Sequence, residues 1–316
     1  MCFCLGEDVA MTMSRYIMQN GKQNKDLLGK LLSHRLRGLS QFEHTPSALE
    51  WACNSNIPYL EIDARVSKDG EIYLYHDPIT GNDIDGSFAF AQSCSHQVEL
   101  FRFTNGQPLL SLTETLERFK RRAYQRQILC IDIKDYGFED RYIELVRAAD
   151  LEDHVYFVSW IPQTLIRLWE LGARSPLILS HWNLLKLGKL GNVLTRMLKD
   201  RIVRFGNFVF MGVNKIEANL GSLSHGYQHS LICQEIPDIL LEVLISSSGG
   251  IIMHFSMMGD ALASYCLYHK LKLWLFSARD TRQYIRYAKN PAVDVVFCDD
   301  ARAIANSLGR EISLYK

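Results

Sequence analysis

Apolar positions along the chain fall into two patterns. Short continuous runs rich in Val, Ile and Leu occur at 31–35, 59–65, 128–134, 155–160, 177–182, 250–256, 271–277 and 293–299. Such runs are what strands buried on both faces look like. Between them lie longer stretches, most with helical spacing and enough residues for a helix. Eight strand–helix repeats predict a (β/α)8 TIM barrel. Two stretches break the alternation. After the second strand, the turn signal Lys68-Asp69-Gly70 leads into Glu71-Ile72-Tyr73-Leu74-Tyr75-His76, which reads as the returning arm of a hairpin. A Gly/Asn/Asp-rich loop follows, so a small insertion is expected over about 77–110. A longer one is expected between strands 5 and 6, over 183–249. Residues 1–30 read as an N-terminal extension, and 31–316 as the barrel.

Composition narrows the class. Of the 316 residues, 47% are hydrophobic and 22% charged, which fits a folded domain. Lys+Arg and Asp+Glu both number 35, so no global basic field favours nucleic acid. The eight cysteines form no CxxC pair and no regular framework, as expected of free thiols in a reducing compartment. The first 25 residues lack a basic start, and Glu7 and Asp8 interrupt their apolar run. No apolar stretch approaches the ~20 residues needed to span a bilayer. A soluble, cytoplasmic protein is therefore expected. The stretch 184–210 mixes Lys186, Lys189, Arg196, Lys199, Arg201 and Arg204 with apolar residues. That admits peripheral contact with an anionic membrane, although an extra helix over the barrel mouth is the plainer expectation.

Chemistry in this fold sits at the C-terminal ends of the strands. His34 and Arg35 end the first predicted strand. Glu61 and Asp63 share one face of the second at i, i+2, and Asp132 and Lys134 do so on the third. His76 and Asp77 end the hairpin arm. Taken singly, each has a plainer reading: a structural histidine, a solvated acidic face, an ion pair. Together, three carboxylates can hold one hard divalent cation. Arg35 and Lys134 can neutralise a phosphate. Two histidines can move the protons that phosphodiester cleavage requires.

These residues fall in a pattern similar to the glycerophosphodiester phosphodiesterase family. The segments are Ser33-His34-Arg35, Phe42-Glu43-His44-Thr45, Leu60-Glu61-Ile62-Asp63, Ser67-Lys68-Asp69-Gly70 and Tyr75-His76-Asp77. They resemble the family's HRG, PENT, E-x-D, T/S-K-D-G and HD. His34 precedes Glu61 by 27 residues and Asp63 precedes His76 by 13, as in typical members. Pro108–Leu112, Ile131–Lys134 and Val293–Asp299 resemble later segments. The resemblance implies a TIM barrel and one Mg²⁺ or Ca²⁺ ion. It implies hydrolysis of a glycerophosphodiester, or a similar small phosphodiester, to a phosphomonoester and an alcohol. It places the acid–base pair on His34 and His76, the metal ligands on Glu61, Asp63 and Asp132, and phosphate contacts on Arg35 and Lys134. His254 and Trp274 are further candidates for substrate contact.

The departures bear on substrate. Leu36 replaces the glycine of HRG, and FEHT replaces PENT, which introduces His44. Asp132 stands for the family's glutamate, as in the related sphingomyelinase D-type phospholipases. Ser277 stands where W-T-V-N carries Asn. Two alternatives stay open: a lyase or transferase that releases a cyclic phosphate or passes the phosphoryl group on, and a non-catalytic phosphodiester-binding protein. Which histidine is acid and which is base is not decided, nor is the oligomeric state.

Overall fold

The computed structural model describes residues 26–122, 127–180, 236–255 and 258–313, with the backbone of four short strands inside 181–235. Eight parallel strands close into a barrel: β1 Leu31–Ser33, β2 Tyr59–Val66, β3 Ile128–Ile133, β4 Val155–Ser159, β5 Leu177–Ser180, β6 Gly250–His254, β7 Lys272–Ala278 and β8 Val295–Cys298. All eight lie where the apolar runs predict them. Closure runs through β1, where Leu31 pairs with Val296 of β8 and Leu32 pairs with Tyr59 of β2. Each strand is followed by a helix: α1 Pro46–Cys53, α2 Leu112–Arg122, α3 Glu139–Ala148, α4 Pro162–Glu170, α5 Asp238–Ser246, α6 Asp260–His269, α7 Thr281–Ala288 and α8 Ala301–Ser313. Helix α1 begins where Pro46 sets the first turn and Thr45 Oγ1 accepts the Ala48 N–H at 3.2 Å.

The two-residue period of the strands sorts their side chains into two cores. Leu31, Leu60, Ile62, Leu129, Ile131, Leu177, Leu179 and Leu273 join the helices in an outer core. Leu32, Cys130, Val158, Ile178, Ile252, Trp274, Val295 and Phe297 fill the barrel interior. Following the inward face towards the strand C-termini changes its chemistry. Leu32 gives way to His34, Cys130 to Asp132 and Lys134, and Phe297 to Asp299. The apolar interior is thus the floor of a polar mouth. β6 enters this packed ring through Gly249 and Gly250. A Cβ on Gly249 would lie 1.9 Å from the Leu177 carbonyl oxygen, and one on Gly250 would lie 2.2 Å from that of Lys272. Only glycine admits so close an approach of neighbouring strands.

Residues Ile72–Leu74 pair antiparallel with the end of β2, as the turn signal predicts. The segment after them builds its own aromatic core from Tyr73, Tyr75, Ile84, Phe88, Phe90, Val98, Phe103 and Leu109. In the longer segment between β5 and β6, Ile202–Phe205 and Phe208–Met211 form an antiparallel hairpin. The sequence expectation for 184–210 is instead a helix over the barrel mouth. Ile-Val-Arg-Phe and Phe-Val-Phe-Met are β-branched and aromatic, which favours strands. The rest of 184–210, including its lysines, lies outside the described residues, as does the 1–25 part of the N-terminal extension. Helix α5 falls inside 183–249 yet belongs to the barrel ring, burying Leu240, Val243 and Leu244. Among the described residues, no helix is long and apolar enough to cross a membrane.

Candidate active site

The first strand ends two residues earlier than its apolar run. His34–Leu36 form a 3-10 turn in which Arg35 and Leu36 both have φ of 55°. The turn points the Arg35 N–H at Glu61 Oε2, 2.7 Å away. A left-handed conformation costs a non-glycine residue roughly 1–2 kcal/mol. Leu36 is fully buried in the outer core, and burying a leucine returns about 1.5–3 kcal/mol. That balance explains how leucine serves where the resembled pattern has glycine.

Glu61 and Asp63 on β2 and Asp132 on β3 converge, with one oxygen from each lying within 4.8 Å of the others. All three are buried. Lys134 Nζ reaches Asp132 Oδ2 at 2.5 Å and Asp63 Oδ1 at 2.7 Å. Arg35 Nε lies 3.3 Å from Asp63 Oδ2. Burial raises Glu61 well above the usual carboxylate range, and the charges of Asp63 and Asp132 add to this. Asp132 is raised by burial, against the pull of Lys134. Burial would also raise Asp63, but Lys134, His76, Arg35 and His44 outweigh it and hold that carboxyl well below its ordinary value. Lys134 shows the converse: burial lowers it, yet Asp132 and Asp63 raise it further. Three carboxylates thus face two fixed cations. Asp63 Oδ2 and Asp132 Oδ1 are buried without a hydrogen-bond partner. Surplus negative charge and unsatisfied hard oxygens fit a divalent cation.

Each candidate histidine is oriented by a carboxylate. His34 Nδ1 lies 2.7 Å from Asp299 Oδ1, and His76 Nδ1 lies 2.6 Å from Asp77 Oδ1. A carboxylate at Nδ1 selects the tautomer with its proton there, leaving the Nε2 lone pair free. Burial lowers His34, partly offset by Asp299. Burial takes His76 down to about 4, against the pull of Asp63. Asp299 is held far below its ordinary value, chiefly by its bond to His34. Arg37 bridges Asp299 and Glu43, and Glu43 also lies 3.5 Å from Arg35.

A cavity of about 340 Å³ opens at the strand C-termini. Its lining includes His34, Arg35, Glu61, His76, Asp132 and Lys134 on the β1–β3 side. Val158, Trp160, Ile252, His254, Phe255 and Phe276 line the side of β4, β6 and β7. His254 is therefore at the mouth, as its register predicts. Trp274 is not in the lining. It is fully buried in the interior, stacked on Tyr156 with centroids 5.9 Å apart. Sequence reasoning passed over Asp299 and Arg37 as partners of the site. It noticed His44 only as a departure. His44 is buried under β2, and its Nε2 accepts the Asp63 N–H at 3.1 Å.

No protein-family model and no curated protein matches the chain. Solved structures do. A glycerophosphodiester phosphodiesterase from Parabacteroides distasonis superposes with a TM-score of 0.59 at 14% identity, over 89% of this chain and 97% of that one. One from Agrobacterium tumefaciens gives 0.58 at 16% identity, over 88% and 99%. The fold is that of the glycerophosphodiester phosphodiesterases. A phosphodiesterase from Oleispira antarctica, solved in complex with the product sn-glycerol-3-phosphate, gives 0.60 at 16% identity, over 90% and 99%.

Proposed function

We propose that the chain hydrolyses a small phosphodiester of the glycerophosphodiester class to a phosphomonoester and an alcohol. One observation carries this reading: two carboxylate-oriented imidazoles and the buried Glu61–Asp63–Asp132 cluster come together at one cavity of about 340 Å³ at the strand C-termini. The Oleispira neighbour, whose complex holds a glycerol phosphate product, supports the substrate class.

Glu61, Asp63 and Asp132 would hold one divalent cation, Mg²⁺ or Ca²⁺. When bound, it supplies Lewis-acid polarisation of a phosphoryl oxygen. Arg35 and Lys134 border the same oxygens and offset charge that grows there in the transition state. Proton movement falls to the two rings. One Nε2 takes the proton of the attacking hydroxyl or water, and the other ring, entering the step with protons on both nitrogens, gives its Nε2 proton to the departing alkoxide. Asp77 and Asp299 stabilise whichever ring becomes cationic. The apolar wall across the cavity excludes water and strengthens each of these interactions.

The test is a phosphodiester panel with Mg²⁺, Ca²⁺ or Mn²⁺ and phosphorus NMR of the products. A phosphomonoester is expected, with turnover abolished by excess chelator and in His34→Ala and His76→Ala. Activity retained in both variants would sink the assignment. A cyclic phosphate as final product would move the chain to the lyase reading.

A further inference from the structure

Arg65 continues the inward series of Glu61 and Asp63 on β2, one step closer to the mouth. It is nevertheless 2% exposed and does not line the cavity. Its guanidinium is turned onto the backbone of His76. Nε and Nη2 both donate to the His76 carbonyl oxygen, at 2.8 and 2.6 Å. Nη1 donates to Asp135 Oδ1 at 3.1 Å, and Asp135 Oδ2 accepts the Val66 N–H at 2.8 Å. Asp135 directly follows Lys134 at the end of β3. A continuous buried path therefore runs from the end of β3, through Asp135 and Arg65, to the main chain of His76.

A buried ion pair is an expensive way to hold two strands together. Desolvation offsets much of its attraction, and apolar residues of similar volume often serve stability equally well. What an apolar pair cannot do is grip a carbonyl oxygen with two donors of one rigid plane. We propose that the Arg65–Asp135 pair is a positioning device for His76. It fixes the peptide after His76 relative to the end of β3, while Asp77 fixes the ring. The aim of Nε2 at a phosphate held near Asp132 and Lys134 then depends on both. The catalytic part of this inference rests on the phosphodiesterase reading above.

The experiment uses the full chain with sn-glycero-3-phosphocholine as probe substrate. Three proteins are compared: wild type, Arg65→Lys, and the charge-free double variant Arg65→Met/Asp135→Leu. Misplacing a catalytic group by about 1 Å costs about a hundredfold in rate. We expect kcat to fall by that order in both variants, with KM little changed. The double variant leaves the buried Val66 N–H and His76 carbonyl without these partners, so its thermal midpoint should fall while the chain stays folded at the assay temperature. Imidazole NMR signals, assigned through His76→Gln, give a readout that needs no turnover. The His76 ring signals should shift or broaden in both variants while those of His34 stay in place. Wild-type kcat or unmoved His76 signals in a folded variant would overturn the proposal. So would a fall in kcat that only tracks the folded fraction. Unfolding of both variants would show that the pair holds the fold rather than the histidine, and would overturn it too. If the wild type turns over no phosphodiester, the functional reading fails, and the His76 signals still decide the clamp.

Discussion

The two halves of the barrel mouth are built on opposite principles. On the β1–β3 half, the cavity-lining residues His34, Arg35, Arg37, Glu61, His76, Asp132 and Lys134 are all polar or titratable. On the β4–β7 half, Val158, Trp160, Ile252, Phe255 and Phe276 make most of the wall. The charged half carries unlike charges at hydrogen-bond distance, and the apolar half keeps their surroundings poor in water. Coulomb attraction at fixed distance grows as the effective dielectric falls. Each half therefore needs the other: the carboxylates would be weakly coupled in an open cleft, and an apolar bowl alone would have no chemistry. The sharpest way to break the comparison is to remove the cation at the centre of the charged half. Lys134→Met leaves three buried carboxylates facing only Arg35. Breaking a buried pair in this way costs roughly 3–5 kcal/mol of stability, read from urea unfolding. Turnover should fall by about a thousandfold, the scale of losing a fixed electrostatic partner of the transition state. A variant of wild-type stability would show that the charged half is more solvated than its burial implies.

The halves also differed in how they could be read from the sequence. Strands buried on both faces write themselves as continuous apolar runs, so all eight were visible. In the charged half, His34, Glu61, Asp63 and His76 lie on adjacent elements close in sequence. Their fixed spacing made a motif. Partners that depend on closure did not. Asp299 meets His34 across 265 residues because β1 pairs with β8, and nothing local announces that. His44 looked like a lost asparagine until its burial under Asp63 gave it a task. Arg65 carries no local signal of its task, because period-two logic gives the face of a side chain and not the direction of its far end. In the apolar half, Trp160 and Phe276 have the composition of core residues, and only geometry separates lining from core. Trp274 lies on the wrong side of that line for a substrate contact, one layer below the cavity.

A smaller effect is expected where the halves meet, at β8. Asp299→Asn keeps the size of the side chain but can turn an amide N–H₂ towards His34 Nδ1, which favours the wrong tautomer. Turnover should fall by at least about a hundredfold, the scale of a catalytic group turned out of alignment. The same variant has a signature in stability. Asp299 is held below its ordinary value in the folded chain, chiefly by His34. The unfolded chain therefore binds its proton more readily. The stabilisation is present above the unfolded carboxyl value of about 4 and is lost as pH falls towards the folded one. Wild-type urea midpoints should drop below about pH 4, and Asp299→Asn should flatten that part of the curve. An unchanged acid slope would mean that the His34–Asp299 bond does not persist in solution.

The smallest effect sharpens the boundary between lining and core. Trp274 packs among Tyr59, Tyr156 and Phe297, and its buried Nε1 has no hydrogen-bond partner. Trp274→Phe removes part of a ring, which costs about 1–2 kcal/mol by the scale of core truncations. It also removes an N–H buried without an acceptor, a burden of about 1–3 kcal/mol. The two nearly cancel, so the thermal midpoint should move little and kcat and KM should stay at wild-type values. Trp274→Ala has no such offset and should lose about 3–5 kcal/mol, because it empties the floor beneath the mouth. A rise in KM in Trp274→Phe at unchanged stability would place the indole against the substrate after all. It would also move the apolar wall of the cavity one layer deeper into the barrel.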